Sequence, residues 1–332
     1  MKTSGNNCLF QILDKDQIEE TDLHVIDGGS LMRQIKWNEK STFAEIVVCY
    51  INFVNSKYGI STVVFDGYDG GPSPKDHEHA RRGNMSSPEF IIRRDSKLTV
   101  SQQSFLTNSS NKSGLLKLLI TQLLIAGHTV KQADADADKL IVETVLQAAR
   151  EGRSVTVFAN DTDVIVMLLH HWSTSMASIV VRSEIKQRSY TVTKQMNIEE
   201  ASGMLTPNTK NFLLFSHAFG GCDTTSGIHE KGKGSVVRLI EKSKEAQEIA
   251  EKFMDKNMSQ DDIGNAGHDM FVLLYGGKLG DQLASLRHRN YMRMAAAAST
   301  LNPSKLPPTK RTAYFHSLRV KLQVNILDYF AY

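Results

Sequence analysis

The sequence predicts an α/β protein: a domain with a mostly parallel central sheet, followed by a helical C-terminal region. Three observations carry this. Short β-branched apolar runs alternate with helical stretches through the first half of the chain. Three of those runs end in an aspartate at a turn. From about Ile198 onward the pattern is mainly helical. Alternating strands and helices bury both faces of a parallel sheet.

The elements follow in order. Residues 1–22 read as an N-terminal extension, and 23–240 as one α/β domain. Leu23-His24-Val25-Ile26 is the first strand, stopped by Asp27-Gly28-Gly29. Ser41 is a candidate cap for a helix through Lys57, with Phe43, Ile46, Val47, Tyr50 and Val54 on one face and Gly59 beyond its end. Thr62-Val63-Val64-Phe65 is a buried strand, stopped by Asp66-Gly67. Residues 67–113 are the least regular stretch, a flexible basic insert rich in Gly, Pro, Ser and Asn. Helices then run from Leu115 to Ala126 and from Asp136 to Glu151. Val155-Thr156-Val157-Phe158 reads as a third strand, before Asn160-Asp161. Residues 241–332 form the helical region, closing with a helix over about Thr312 to Phe330.

Composition narrows the class. The chain has 332 residues, 41% hydrophobic and 23% charged, which excludes a disordered tail, a collagen-like chain and a coiled-coil rod. Lys+Arg is 39 against Asp+Glu 36, so nucleic-acid binding has to be argued from local patterning rather than from the net charge of +3. Cys8, Cys49 and Cys222 form no disulfide framework and no Cys-x-x-Cys pair. Residues 1–16 lack the apolar core of a secretory signal, and Leu115 to Ala126 is too short and polar to span a bilayer. The expected location is intracellular, nuclear or cytoplasmic, with no membrane partner.

The chemistry is expected where the strands end, because ligands of open α/β sheets bind at the carboxyl ends of the strands. Asp27, Asp66 and Asp161 close three strands, and Asp163 follows two residues on. Asp134, Asp136 and Asp138 open a helix, and Asp223 stands in a Gly-Gly-Cys-Asp turn. Carboxylates crowded in one crevice repel unless cations offset them. Oxygen ligands without a Cys or His pair select Mg²⁺ or Mn²⁺, and so many acids suit two ions in the manner of phosphodiester hydrolysis. A strand-end Asp can also be no more than a turn residue, and Asp134, Asp136 and Asp138 can simply favour a helix N-terminus.

These blocks resemble a family. Val25-Ile26-Asp27, Val64-Phe65-Asp66-Gly67, Asp134-Ala135-Asp136-Ala137-Asp138, Ala159-Asn160-Asp161-Thr162-Asp163 and Gly221-Cys222-Asp223 look like the ordered acidic motifs of the flap-endonuclease-like, or PIN-like, metal-dependent nucleases. The resemblance implies a three-layer α/β/α domain and a nuclease cutting DNA, flap-bearing DNA included, or RNA with two divalent ions. It implies metal-site roles for Asp27, Asp66, Asp161, Asp163 and Asp223, with Asp136 and Asp138 as the helix-start pair and Asp134 the alternative. It departs from the family at Asn160, where an acid is usual. A non-catalytic nucleic-acid-binding module on the same fold is the alternative.

Basic residues extend the reading. The resemblance gives Lys75, Arg81 and Arg82 contact with the scissile phosphate, where a cation offsets developing charge. Arg93 and Arg94 are candidates to track a nucleic-acid backbone. Gly227, Lys231, Gly232, Lys233, Gly234 and Ser235 precede a helix and resemble the family's duplex-binding turn, with Lys231 and Lys233 reaching a phosphate. Gln323, Ile326, Tyr329 and Phe330 resemble a sliding-clamp-binding box, and they fit equally the inner face of a terminal helix.

Overall fold

Three of the β-branched runs lie deep in a sheet and pair in parallel, the arrangement that helices on both faces require. The structure is a computed structural model and describes residues 20–38, 40–67, 88–134, 136–186, 191–297 and 302–328. It divides into a sheet unit, within residues 13–164 and 173–199, and a helical unit, within 165–172 and 200–332.

In the sheet unit, β1 (Leu23–Asp27) lies between β2 (Thr62–Phe65) and β4 (Val155–Phe158), parallel to both. Asp27 stands opposite Val64, and Ile26 opposite Phe158, so the carboxyl ends of the three strands come level. β3 (Thr129–Gln132) adds in parallel outside β2, and β5 (Ile179–Lys186) outside β4. β6 (Thr191–Asn197) closes the sheet antiparallel to β5, giving the order β3-β2-β1-β4-β5-β6.

Side chains alternate across this sheet. Ile26, Val63 and Phe65 face a core built with α1 (Gly28–Gln34), α2 (Phe43–Tyr58), α3 (Gln102–Thr107) and α4 (Ser109–Ile125). Val25 and Val64 point to the other pleat, where α5 (Ala137–Arg150) buries Ile141, Val142, Val145, Leu146 and Ala149. The α2 cap is Thr42 rather than Ser41, because Glu45 three residues on completes a reciprocal capping box. Part of the stretch expected to be irregular is regular. Asn111 accepts from Phe90 N and donates to Pro88 O, pinning residues 88–90 to the first turn of α4. Residues 68–87 lie outside the described residues.

In the helical unit, the C-terminal part of α6 (Thr162–His171), from Ile165 on, joins α8 (Pro207–Asn211), α9 (Leu213–Phe219), α10 (Lys233–Lys242), α11 (Lys244–Met254), α12 (Gln260–Leu274), α13 (Leu283–Ala296) and α14 (Lys310–Leu327). A short α7 (Ile198–Gly203) leads in from β6. Phe215, Phe219, Phe253 and Phe271 form its aromatic centre, with Phe215–Phe253 and Phe219–Phe271 centroids 4.9 Å apart. No described helix is long and apolar enough to cross a membrane.

His316 packs edge-on to Phe219, and its Nε2 lies 3.1 Å from the Phe219 carbonyl oxygen, to which it donates when neutral. Burial drives its pKa down to about 4, with nearby Arg319 adding to the effect and the carbonyl hydrogen bond opposing it. The folded value lies below the ordinary 6.5. Its neutral form therefore stabilises the fold above pH 6.5, and that contribution is lost as pH falls from 6.5 to 4. The expected loss is about 3 kcal/mol. Denaturant melts across that window check it, and His316→Gln should flatten the dependence. An equally steep fall in the variant would assign the effect to other groups.

Candidate metal and active site

Four candidate acids of the sheet unit accept from backbone amides at helix starts. α1 begins without a loop after β1, so Asp27 becomes its cap and Asp27 Oδ1 accepts from Gly29 N at 2.8 Å and Ser30 N at 3.2 Å. Asp66 ends β2, and its Oδ1 accepts from Ala137 N, the first residue of α5, at 3.1 Å. Asp136 caps α5 and accepts from Asp138 N at 3.3 Å. Asp161 precedes α6 and accepts from Asp163 N at 2.9 Å.

Gly67 fixes the approach of the next loop. A Cβ there would lie 2.2 Å from Asp134 O, so a side chain would push the β3–α5 connection, and with it Asp136, away from Asp66. Asp136 and Asp138 belong to the first turn beside Asp66, whereas Asp134 packs its backbone against Gly67.

Asp27 and Asp66 approach each other across Gly29, and the charge of Asp161 is felt at Asp27. The Asp27 carboxyl is held above the ordinary carboxylate range, first by burial and then by the charges of Asp66 and Asp161, against the pull of its amide hydrogen bonds. Gly29 leaves the space between two of these acids open. A Cβ on Gly29 would meet Asp27 Oδ1 at 3.2 Å and Asp66 Oδ2 at 3.5 Å. The donors are all carboxylate oxygens around a gap that a single methyl would enter, which suits a small hard cation.

Sequence reasoning missed Gly29, reading it as part of a turn. A helix that starts directly on a strand-end acid is the signal for it, since its first residues must flank that acid. The neighbouring Gly28 has a different cause: a Cβ there would lie 2.2 Å from the Phe65 ring. Asn160, where the resembling family has an acid, donates to Ser30 Oγ at 3.3 Å and accepts from Glu184 N at 3.0 Å. It joins α1 to β5.

Asp223 belongs to the helical unit and is exposed in the loop after α9. Lys75, Arg81 and Arg82 lie outside the described residues. Arg93 and Arg94 are exposed in the sheet unit, and Arg94 lines a shallow groove of about 500 Å³ with Phe90, Ile92 and Lys117. Gly227 packs its backbone against Gly221, whose φ of +103° requires glycine. Gly232 caps α10 without a side chain, and Gly234 and Ser235 lie in that helix's first turn.

Two expectations need correction. Lys233 is 8% exposed and packs in the first turn of α10 against Gly220, so it does not reach out to a phosphate as Lys231 was expected to do with it. Gln323 is 5% exposed and accepts from Thr224 Oγ1 at 2.7 Å. Val320, Gln323, Val324 and Leu327 form the buried face of α14. The first residue of the clamp-like box is thus used in the chain's own packing, and a sliding-clamp partner is not supported. Ile326 is exposed, and Tyr329 and Phe330 lie outside the described residues.

No protein-family model and no curated protein matches the chain. Solved structures do. The catalytic core of Rad2 in complex with DNA substrate aligns at 14% identity and TM-score 0.42, over 73% of this chain and 68% of that one. The eukaryotic junction-resolving enzyme GEN-1 binding with sodium aligns at 13% and 0.40, over 85% and 59%. The Holliday junction-resolving enzyme GEN1 with product DNA and a Mg²⁺ ion aligns at 14% and 0.32, over 93% and 61%. The chain spans about three-fifths of the two GEN1 chains. At such values the shared trace says nothing of chemistry. The likeness is to Rad2 and GEN1, and the fold is the mostly parallel α/β/α arrangement that the sequence predicts.

Proposed function

We propose that the chain is a divalent-metal-dependent nuclease. The observation that carries the reading is the approach of Asp27 and Asp66 across the gap left by Gly29, with the Asp27 carboxyl raised by burial and by the charges of Asp66 and Asp161. Asp27, Asp66 and Asp161, with Asp136, Asp138 and Asp163 beside them, would hold Mg²⁺ or Mn²⁺, two ions being the proposed complement. When bound, such ions activate water and offset charge on the phosphate. The protein's own part is positional. The α1 amides fix Asp27, Ala137 N fixes Asp66, and Asp163 N fixes Asp161, so the donors are placed before substrate arrives. Lys75, Arg81 and Arg82 are proposed to counter phosphate charge, and DNA or RNA to be the substrate.

The test uses labelled flap, duplex and single-stranded DNA and RNA with the full chain. Mn²⁺-dependent product that disappears with EDTA is the expected result. Binding without metal-dependent product on every substrate would overturn it in favour of a non-catalytic module. Asn160 favours that second reading, because its side chain joins α1 to β5 where the resembling nucleases carry an acid.

A further inference from the structure

Charge is distributed unevenly along the chain. From Gln282 through Leu327, 46 residues, there are eight Lys and Arg and no Asp or Glu. The net charge of the whole chain is only +3, so the remainder is acidic in balance. A stretch of one sign on a near-neutral protein is the electrostatic footprint of a polyanion partner.

The structure sorts these eight. Lys321 donates to Phe253 O and Asp255 O, Lys305 pairs with Glu230, and Arg287 donates to Pro307 O at 2.5 Å. Arg319 leans on Ser226 Oγ at 3.4 Å. Arg289, Arg293, Lys310 and Arg311 are exposed.

Arg289 and Arg293 are one turn apart on α13, a rise of about 6 Å, so they share a face. Beside them His288 and Met292 line an open depression with Ala284 and Ser285. Only Leu283 and Leu286 of this helix are buried, whereas Tyr291 is 45% and Met292 54% exposed. Arg287, at the base of α13, binds the carbonyl of Pro307, three residues before Lys310. The start of α14 is thereby tied to the same end of α13.

We propose that α13 and the first turn of α14 form an accessory nucleic-acid surface, gripping the phosphate backbone through Arg289, Arg293, Lys310 and Arg311. Arginine forks and exposed aromatic rings suit phosphate and base faces. An anionic membrane is the other polyanion, but α13 lacks the broad apolar face that insertion into a bilayer surface needs. The proposal rests on nucleic acid being the partner and is independent of cleavage.

The experiment is fluorescence anisotropy of the full chain with a labelled duplex in EDTA, over roughly 50–200 mM salt. Arg289→Gln/Arg293→Gln should reduce the slope of log K against log salt by about 2, and adding Lys310→Gln/Arg311→Gln should weaken binding roughly tenfold or more. Melting curves should not move, since all four residues are exposed. An unchanged slope and affinity in the quadruple variant would overturn the proposal while leaving the nuclease reading intact. So would absence of duplex binding by the wild type, or loss in the variant of binding to phosphatidylserine vesicles alone. A wild type that binds duplex yet gives no metal-dependent product would sink the nuclease reading and leave this surface standing.

Discussion

Asp27→Asn is expected to lose metal-dependent cleavage roughly a thousandfold or more, the rate equivalent of several kcal/mol of charge stabilisation. Without metal it should melt no lower than the wild type. Asparagine keeps the oxygen that accepts from Gly29 N and Ser30 N, so the α1 cap survives. It removes a charge that burial and two neighbouring carboxylates oppose. Loss of function without loss of fold is therefore the signature sought. Gly29→Ala makes the same point from the other side. Its methyl would enter the gap between Asp27 and Asp66, while alanine favours a helix over glycine by about 1 kcal/mol. The expected result is an equal or higher metal-free melting temperature, with the shift produced by Mn²⁺ abolished. A wild-type cleavage rate in Asp27→Asn, or an undiminished Mn²⁺ shift in Gly29→Ala, would show that the cation does not sit there.

The largest effect on stability is expected at Gly267. α12 and α14 approach so closely that a Cβ on Gly267 would lie 1.6 Å from Ser317 Oγ and 2.5 Å from its Cβ. Ser317 is fully buried and donates to Ala313 O at 2.7 Å, so it has nowhere to turn. Gly267→Ala should cost about 3 kcal/mol by denaturant unfolding. Adding Ser317→Gly should restore more than half, because it removes the colliding atoms. Gly264 provides the contrast. Its added Cβ would meet the Tyr314 ring at 2.2 Å, but that ring is partly exposed and its hydroxyl reaches the exposed Asp261, so it can swing aside. Gly264→Ala should cost less than Gly267→Ala. Equal costs, or a double variant no better than the single, would remove the close-packing argument.

The parts of the fold legible in the sequence were those buried on both sides. β1, β2 and β4 lie inside the sheet, so they read as short runs rich in β-branched and other apolar residues. β3 is an edge strand, Thr-Val-Lys-Gln, with no fully buried residue, and it carries no such signal. β5 and β6 form the other margin and also went unread. The nearness of Asp27 and Asp66 was legible because topology levels the ends of β1 and β2. The choice among Asp134, Asp136 and Asp138 was not, because it depends on where the helix starts against Asp66. Lys233 and Gln323 misled for one reason. Their neighbours in sequence suggest an exposed motif, whereas helical periodicity turns both side chains inward.

Asp27, Asp66, Asp136 and Asp161 each lean on an amide of their own chain, at the head of α1, α5 or α6. The expectation is a fold that assembles without an ion, unlike small domains that collapse only around zinc. Stripping it with a chelator should yield a silent protein that keeps its shape and regains activity on reloading. Such a protein can be synthesised empty and switched on by the metal it later meets.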